Sequence, residues 1–179
     1  MKLQKTEILQ ILNKNLEINI GRHLYAVLGT YLEIDNFINN DLQIAKRSNG
    51  ECFPQPVSIN NTLLHDLQPG ELDHLIEKES KRPKNIQNRL NQALENCLRS
   101  IFDQTKFVIF HQFELMFAYD LDLSKFRRWA SNGNHILALL PGEMRGNQMH
   151  LFHEAASENI IRFDNQLFAD NNVWELKNE

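Results

Sequence analysis

Phe107-Val108-Ile109-Phe110 and His135-Ile136-Leu137-Ala138-Leu139-Leu140 decide the fold. Each is a short apolar run with no polar break inside it, and the first is β-branched and aromatic. A strand with one wet face alternates apolar and polar residues, whereas a strand covered on both faces has no such constraint. These runs therefore predict strands of a parallel sheet, buried above and below. His23-Leu24-Tyr25-Ala26-Val27-Leu28, which ends at Gly29, reads the same way.

Helical patterns separate the runs. Ile86, Leu90, Ala93, Leu94, Cys97, Leu98 and Ile101 form one apolar face over Asn85 to Phe102, and Pro83 suits the first turn. Leu3, Ile8, Ile11, Leu12 and Leu16 make a stripe that predicts a helix over Leu3 to Leu16. Leu32, Phe37, Ile38, Leu42 and Ile44 predict another over Tyr31 to Ala45, weakened by Asn36, Asn39 and Asn40. Lys46 to Pro56 is a loop, Val57 to Ile59 a short strand, and Asn61 or Thr62 the cap of a helix through Asp66. Leu72, Leu75 and Ile76 add a further turn or two after Pro69-Gly70. Leu123 to Ala130 is helical, and Pro141-Gly142 is expected to stop the strand that starts at His135. Met149, Leu151, Ile160, Ile161 and Phe163 predict a C-terminal edge hairpin. Such alternation gives an α/β chain, one domain over residues 1–179, with a mainly parallel sheet flanked by helices.

A chain of 179 residues with 42% hydrophobic content can bury a core without disulfides. A formal net charge of -4 excludes a strong whole-molecule attraction to nucleic acid. Cys52 and Cys97 form no CxxC and read as reduced thiols. No apolar run reaches the ~20 residues that span a bilayer. Met1 to Asn15 alternates Lys with Leu and Ile, unlike a signal peptide, so a cytoplasmic location is expected.

In a sheet of this kind ligands sit beyond the carboxyl ends of the strands. At the first such end, Leu28-Gly29-Thr30-Tyr31-Leu32, a phosphate-binding loop would need a glycine-rich turn, a Lys for the terminal phosphates and a hydroxyl for Mg²⁺. The chain has one Gly there, no Lys between it and Lys46, and bulky Tyr31 and Leu32 where the backbone must approach. The stretch reads as a plain strand-to-helix turn or, on a P-loop-like fold, as a degenerate Walker A, and no nucleotide cofactor is expected. At the second, Phe107 to Glu114 has the outline of a Mg²⁺-water site, but His111 and Gln112 replace the acid that would follow the strand. Glu114 is left as a helix-start residue or, in an alternative reading, as the acid of a divergent Mg²⁺-dependent nucleotide hydrolase. Pro141-Gly142, at the third, carries no reacting group.

His150 and His153 would share a helical face, but their surroundings read as strand or loop, so no metal site is expected. No Gly-x-Ser-x-Gly is present. Lys78, Lys81, Arg82, Lys84 and Arg89 would contact DNA in a nucleic-acid accessory protein. Without interleaved aromatics, they read more simply as a solvated helix entrance. Arg127, Arg128 and Trp129 combine residue types favoured at interfaces, although Trp129 also suits a core.

One segment resembles a known family. It runs Phe107-Val108-Ile109-Phe110-His111-Gln112-Phe113-Glu114-Leu115-Met116-Phe117-Ala118-Tyr119-Asp120-Leu121-Asp122, then a short helix, then Ile136-Leu137-Ala138-Leu139-Leu140-Pro141-Gly142 and the late Glu158-x-x-Ile161-Arg162-Phe163. Over residues 86–164 this is similar to the small P-loop-fold proteins of BREX phage-exclusion systems, of the BrxF type and, more distantly, the BrxB type. The resemblance implies a P-loop-NTPase-like outline, a role in bacterial antiviral defence, and partners among the other system proteins, such as the phosphatase-like PglZ component. The BrxF type carries a phosphate-binding loop after its first strand, and this chain departs from it at Gly29 to Leu32. It also has Asn132-Gly133-Asn134 where an Arg-bearing turn would stand. ATP binding is therefore not carried over, and the BrxB type, which lacks the loop as well, is the better functional analogue. The expectation is a non-catalytic adaptor whose contact surface includes Glu114, Phe117, Tyr119, Arg127, Arg128 and Trp129. No residue is assigned a catalytic, cofactor-binding or metal-binding role.

Overall fold

In the computed structural model, which describes residues 1–79, 83–154, 160–169 and 171–177, the three apolar runs lie side by side. They form β2 (Leu24–Gly29), β4 (Phe107–His111) and β5 (His135–Arg145). With β1 (Lys2–Leu3), β3 (Val57–Ser58) and β8 (Val173–Leu176), the sheet order is β1-β8-β2-β5-β4-β3. Every pairing along this path is parallel, and β2 lies against β5 from Leu24↔Ile136 to Gly29↔Pro141. The chain leaves β2 for β3 at the far edge, whereas β8 lies on the other side of β2. The carboxyl end of β2 is therefore where the connections diverge, the place at which open α/β sheets bind ligands. The architecture is the expected α/β one, consistent with a P-loop-like outline.

Helices cover both faces. On one, α1 (Lys5–Leu16) buries Ile8 and Leu12. On the same face α2 (Tyr31–Asn36) continues into a π-helical turn, Phe37–Leu42, which buries Phe37 and Leu42. These residues pack on Tyr25, Val27, Leu137, Leu139 and Trp174. On the other face stand α3 (Ile59–His65), α4 (Glu71–Glu79), α5 (Pro83–Phe102), α6 (Glu114–Ala118) and α7 (Ser124–Trp129). Leu63, Leu90, Leu94 and Phe126 from this layer pack on Ala26, Leu28, Ile136 and Ala138. Successive residues of β2 thus enter opposite layers and all are buried, which is why the run shows no polar alternation.

The structure corrects several expectations. Leu3 belongs to β1 rather than to the first helix. Lys177 N–H donates to Leu3 O at 3.0 Å, and Glu175 N–H to Met1 O at 2.8 Å. The cap of α3 is Ser58, whose Oγ accepts from Asn61 N–H at 3.1 Å, and not Asn61 or Thr62. The helix expected through Ala45 changes to a π-helical turn at the Asn-rich stretch. Pro141-Gly142 does not stop β5. Pro141 lies opposite Gly29, the last residue of β2. Beyond it β5 pairs antiparallel with β6 (Gln148–Leu151), from Gly142↔Leu151 to Arg145↔Gln148. A Cβ on Gly142 would stand 2.7 Å from His150 O, so this glycine serves close strand approach rather than a turn. β6 pairs antiparallel with β7 (Ile161–Asp164), forming the expected hairpin on the extension of β5. The parallel strand β8, beyond the hairpin, was not anticipated.

Candidate functional site

β2 ends at Gly29, and Thr30 caps α2. Thr30 Oγ1 accepts from Glu33 N–H at 3.1 Å, and Glu33 Oε2 accepts from Thr30 N–H at 2.7 Å. This reciprocal pair is a capping box, in which each side chain satisfies a backbone donor that the helix leaves open. A Cβ on Gly29 would lie 3.2 Å from Glu33 Oε2 and 3.0 Å from Leu176 Cδ1. The glycine thus makes room for a carboxylate of the chain itself. The next donor, Tyr31 N–H, is bonded to Glu154 Oε2 at 2.7 Å, across 123 residues of sequence. The amides that would open a phosphate cradle are occupied by Glu33 and Glu154, and negative charge is favourable there.

A hydrogen-bonded belt continues from this point. The Tyr31 hydroxyl donates to Glu114 Oε1 at 3.1 Å. Burial, reinforced by the charges of Glu114 and Glu154, pushes this phenol up to about 12, so it stays a donor at any physiological pH. Asn60 Nδ2 donates to Glu114 Oε2 at 2.7 Å, and Asn60 Oδ1 accepts from Leu115 N–H at 3.0 Å. Glu114 is the first residue of α6 and is held by neutral donors from α2 and α3. Burial holds His111 below the usual imidazole range, against the opposing pull of Asp35 and Glu114. It is therefore neutral at neutral pH. Lys46 lies exposed in its loop, bridged to Cys52. Lys2, close enough to Glu33 for their charges to interact, is bonded to Glu175 at 2.8 Å.

The other residues expected at a contact surface are dispersed. Phe117 packs edge-on against Phe152 and Phe163, with centroids 5.4 and 6.5 Å away. Tyr119 is half-buried against the same core. Arg127 lines an open groove of about 610 Å³ together with Arg162, Asp122 and Asp164. Arg128 donates to Glu95 on α5 at 2.6 Å. Trp129 stacks on Phe102 at 5.7 Å. Phe102 ends α5 just before β4 begins, whereas Glu114 follows the end of β4, so Trp129 and Glu114 stand at opposite ends of the sheet.

Arg89 is tied to Asp66 at 2.8 Å and to Glu71 at 2.7 Å, which leaves it poorly placed for DNA phosphates. Lys84 is exposed. Lys81, Arg82, Glu158 and the side chain of Lys78 lie outside the described residues. His150 is in β6 and His153 in the turn after it. Among the described residues no group of three His, Cys, Asp or Glu is arranged to hold a metal. No helix among them is long and apolar enough to cross a membrane.

Glu33, Glu154, Tyr31 and Asn60 were not anticipated as site residues. Thr30-x-x-Glu33 is a readable capping-box pattern, whereas nothing local marks Glu154 or Asn60. No family model, no curated protein and no solved structure matches the chain.

Proposed function

We propose that the chain is a non-catalytic adaptor of a bacterial anti-phage defence assembly of the BREX type, binding a partner protein such as a PglZ-like component. The observation that supports the non-catalytic half is the occupation of Thr30 N–H and Tyr31 N–H by Glu33 and Glu154. A nucleoside triphosphate would have to displace both carboxylates and then rest beside them. Like charges about 4 Å apart repel by about 4 kcal/mol at an effective dielectric of about 20, which is comparable to millimolar binding. The defence half rests on the resemblance over residues 86–164 and is an associational argument.

Titration calorimetry with Mg·ATP tests the first half. No saturable heat is expected, and micromolar binding lost on Glu114→Gln would replace the adaptor with a hydrolase. Co-expression with the components of such a system tests the second. A stoichiometric complex with one of them is expected, and elution of the chain alone from every combination would overturn the assignment.

A further inference from the structure

The exposed side of α2 is an unpartnered helix face. Ile34 turns inward with Phe37 and Ile38, while Leu32 is 69% exposed and Tyr31 39%. Asp35 lies on the same outward side. An aromatic and a leucine left open together at the diverging end of the sheet have the composition of an interface core.

Acidic charge predominates around this face, with Lys2, itself bonded to Glu175, near enough to Glu33 for their charges to interact. Elsewhere the inset carboxylates have cations: Asp66 and Glu71 share Arg89, Glu95 has Arg128, and Glu175 has Lys2. Among the described residues Glu33, Asp35, Glu114 and Glu154 have no such partner. Neutral donors hold three of these carboxylates: Thr30 N–H bonds Glu33, Tyr31 N–H bonds Glu154, and the Tyr31 hydroxyl and Asn60 amide bond Glu114. The charges acting on Tyr31 are those of Glu114 and Glu154, and those acting on His111 are Asp35 and Glu114. Neutral hydrogen bonds satisfy carboxylate geometry without cancelling carboxylate charge, so the field reaches outward.

We propose that the outward face of α2, centred on Tyr31, Leu32 and Asp35, is a docking surface for a partner-protein segment that carries arginine or lysine beside an apolar side chain. This rests on the adaptor reading for its biological setting. The apolar side chain covers Leu32 and the ring of Tyr31, and the cation meets the rim formed by Asp35, Glu114 and Glu154. Charge of this kind sets on-rate and discrimination, while the apolar centre supplies the holding energy.

The test has two arms. In the first, the ¹⁵N-labelled chain is titrated with a short peptide of alternating leucine and arginine, and with its counterpart in which glutamate replaces arginine. Shifts confined to Tyr31, Leu32, Asp35 and their neighbours are expected for the basic peptide alone. Leu32→Ser with Asp35→Lys should weaken binding by roughly tenfold or more, and added salt should do so as well. Both substitutions are at exposed positions, and an unchanged melting curve verifies the fold. Equal response to the acidic peptide, or shifts centred elsewhere, would overturn the proposal. In the second arm, the same double variant is co-expressed with whichever component forms a complex. An intact complex refutes this docking face while leaving the adaptor reading standing. Peptide binding at α2 with no protein complex refutes the adaptor reading and leaves the face standing.

Discussion

Acid should loosen this protein well before its paired carboxylates begin to titrate, because of a buried cluster at the amino ends of β2 and β5. His23 and His135, each 3% exposed, stack with ring centroids 4.2 Å apart. The Tyr25 hydroxyl lies 3.3 Å from His23 Nδ1 and 3.5 Å from His135 Nδ1. One hydroxyl serves both rings by donating to one and accepting from the other. His23 Nε2 is buried without a partner. The arrangement that strands no N–H therefore puts the His23 proton on Nδ1 and directs the Tyr25 proton to His135. Burial, with the His23 ring second, holds His135 down to about 4. In the unfolded chain an imidazole titrates near 6.5. The folded state thus binds the proton less readily. Its stability contribution is present in full above about pH 6.5 and is lost as pH falls toward about 4.

At about 1.36 kcal/mol per unit, the full loss is about 3 kcal/mol, of which about 2 kcal/mol is gone by about pH 5. That is a large fraction of the total stability of an ordinary domain. Urea unfolding followed by circular dichroism between about pH 7 and about pH 5 measures it. Glu71, Glu143 and Asp122 are held low by Arg89, Arg145 and Ser124, so their losses fall at lower pH. His135→Phe keeps a ring in the stack and removes the titration. The wild-type protein should lose about 2 kcal/mol more than this variant over the window. Parallel curves for the two proteins, or a His135 imidazole seen to titrate near 6.5 in the folded state, would refute the argument.

Two further outcomes follow from packing. Gly142→Ala should cost about 1–3 kcal/mol, because its Cβ meets the His150 carbonyl of the paired strand, which cannot swing away as a side chain can. A thermal melt within error of wild type would refute the close-approach account. Trp174→Ala should cost about 3–5 kcal/mol in urea unfolding, since the indole is fully buried, stacks on Tyr25 and bonds Asn171 O. A loss below about 1 kcal/mol would mean that β8 is not seated as described.

The centre of the fold was legible because burial on both faces leaves its mark inside the strand itself. Val108-Ile109-Phe110 and Ile136-Leu137-Ala138 need no knowledge of their neighbours to read as core. The sheet edge was not legible. Val173-Trp174-Glu175-Leu176 contains a carboxylate that is only 7% exposed, and it is tolerated there because Lys2 reaches across from β1. An ion pair between an exposed lysine and an inset carboxylate 173 residues away leaves no local pattern. Pro141-Gly142 misled for a related reason. Turn propensity is a local rule, and the fate of these residues is set by β2 ending opposite one of them and β6 closing against the other.

At the site, the absence of a lysine was legible and its consequence was not. A helix that starts at the carboxyl end of a strand points unpaired N–H groups at that end, and those groups must be satisfied by something. Where a phosphate cannot serve, the chain must supply its own acceptors. Glu33 is the local one and can be read from Thr30-x-x-Glu33. Glu154 is the remote one, delivered by the turn after β6, and it is specified only once β5 is known to run on past Pro141. Two carboxylates of the chain thus stand where an anionic ligand would meet the first amides of α2. Their contribution to the fold is the satisfaction of Thr30 N–H and Tyr31 N–H, one by a neighbour in sequence and one from 123 residues away.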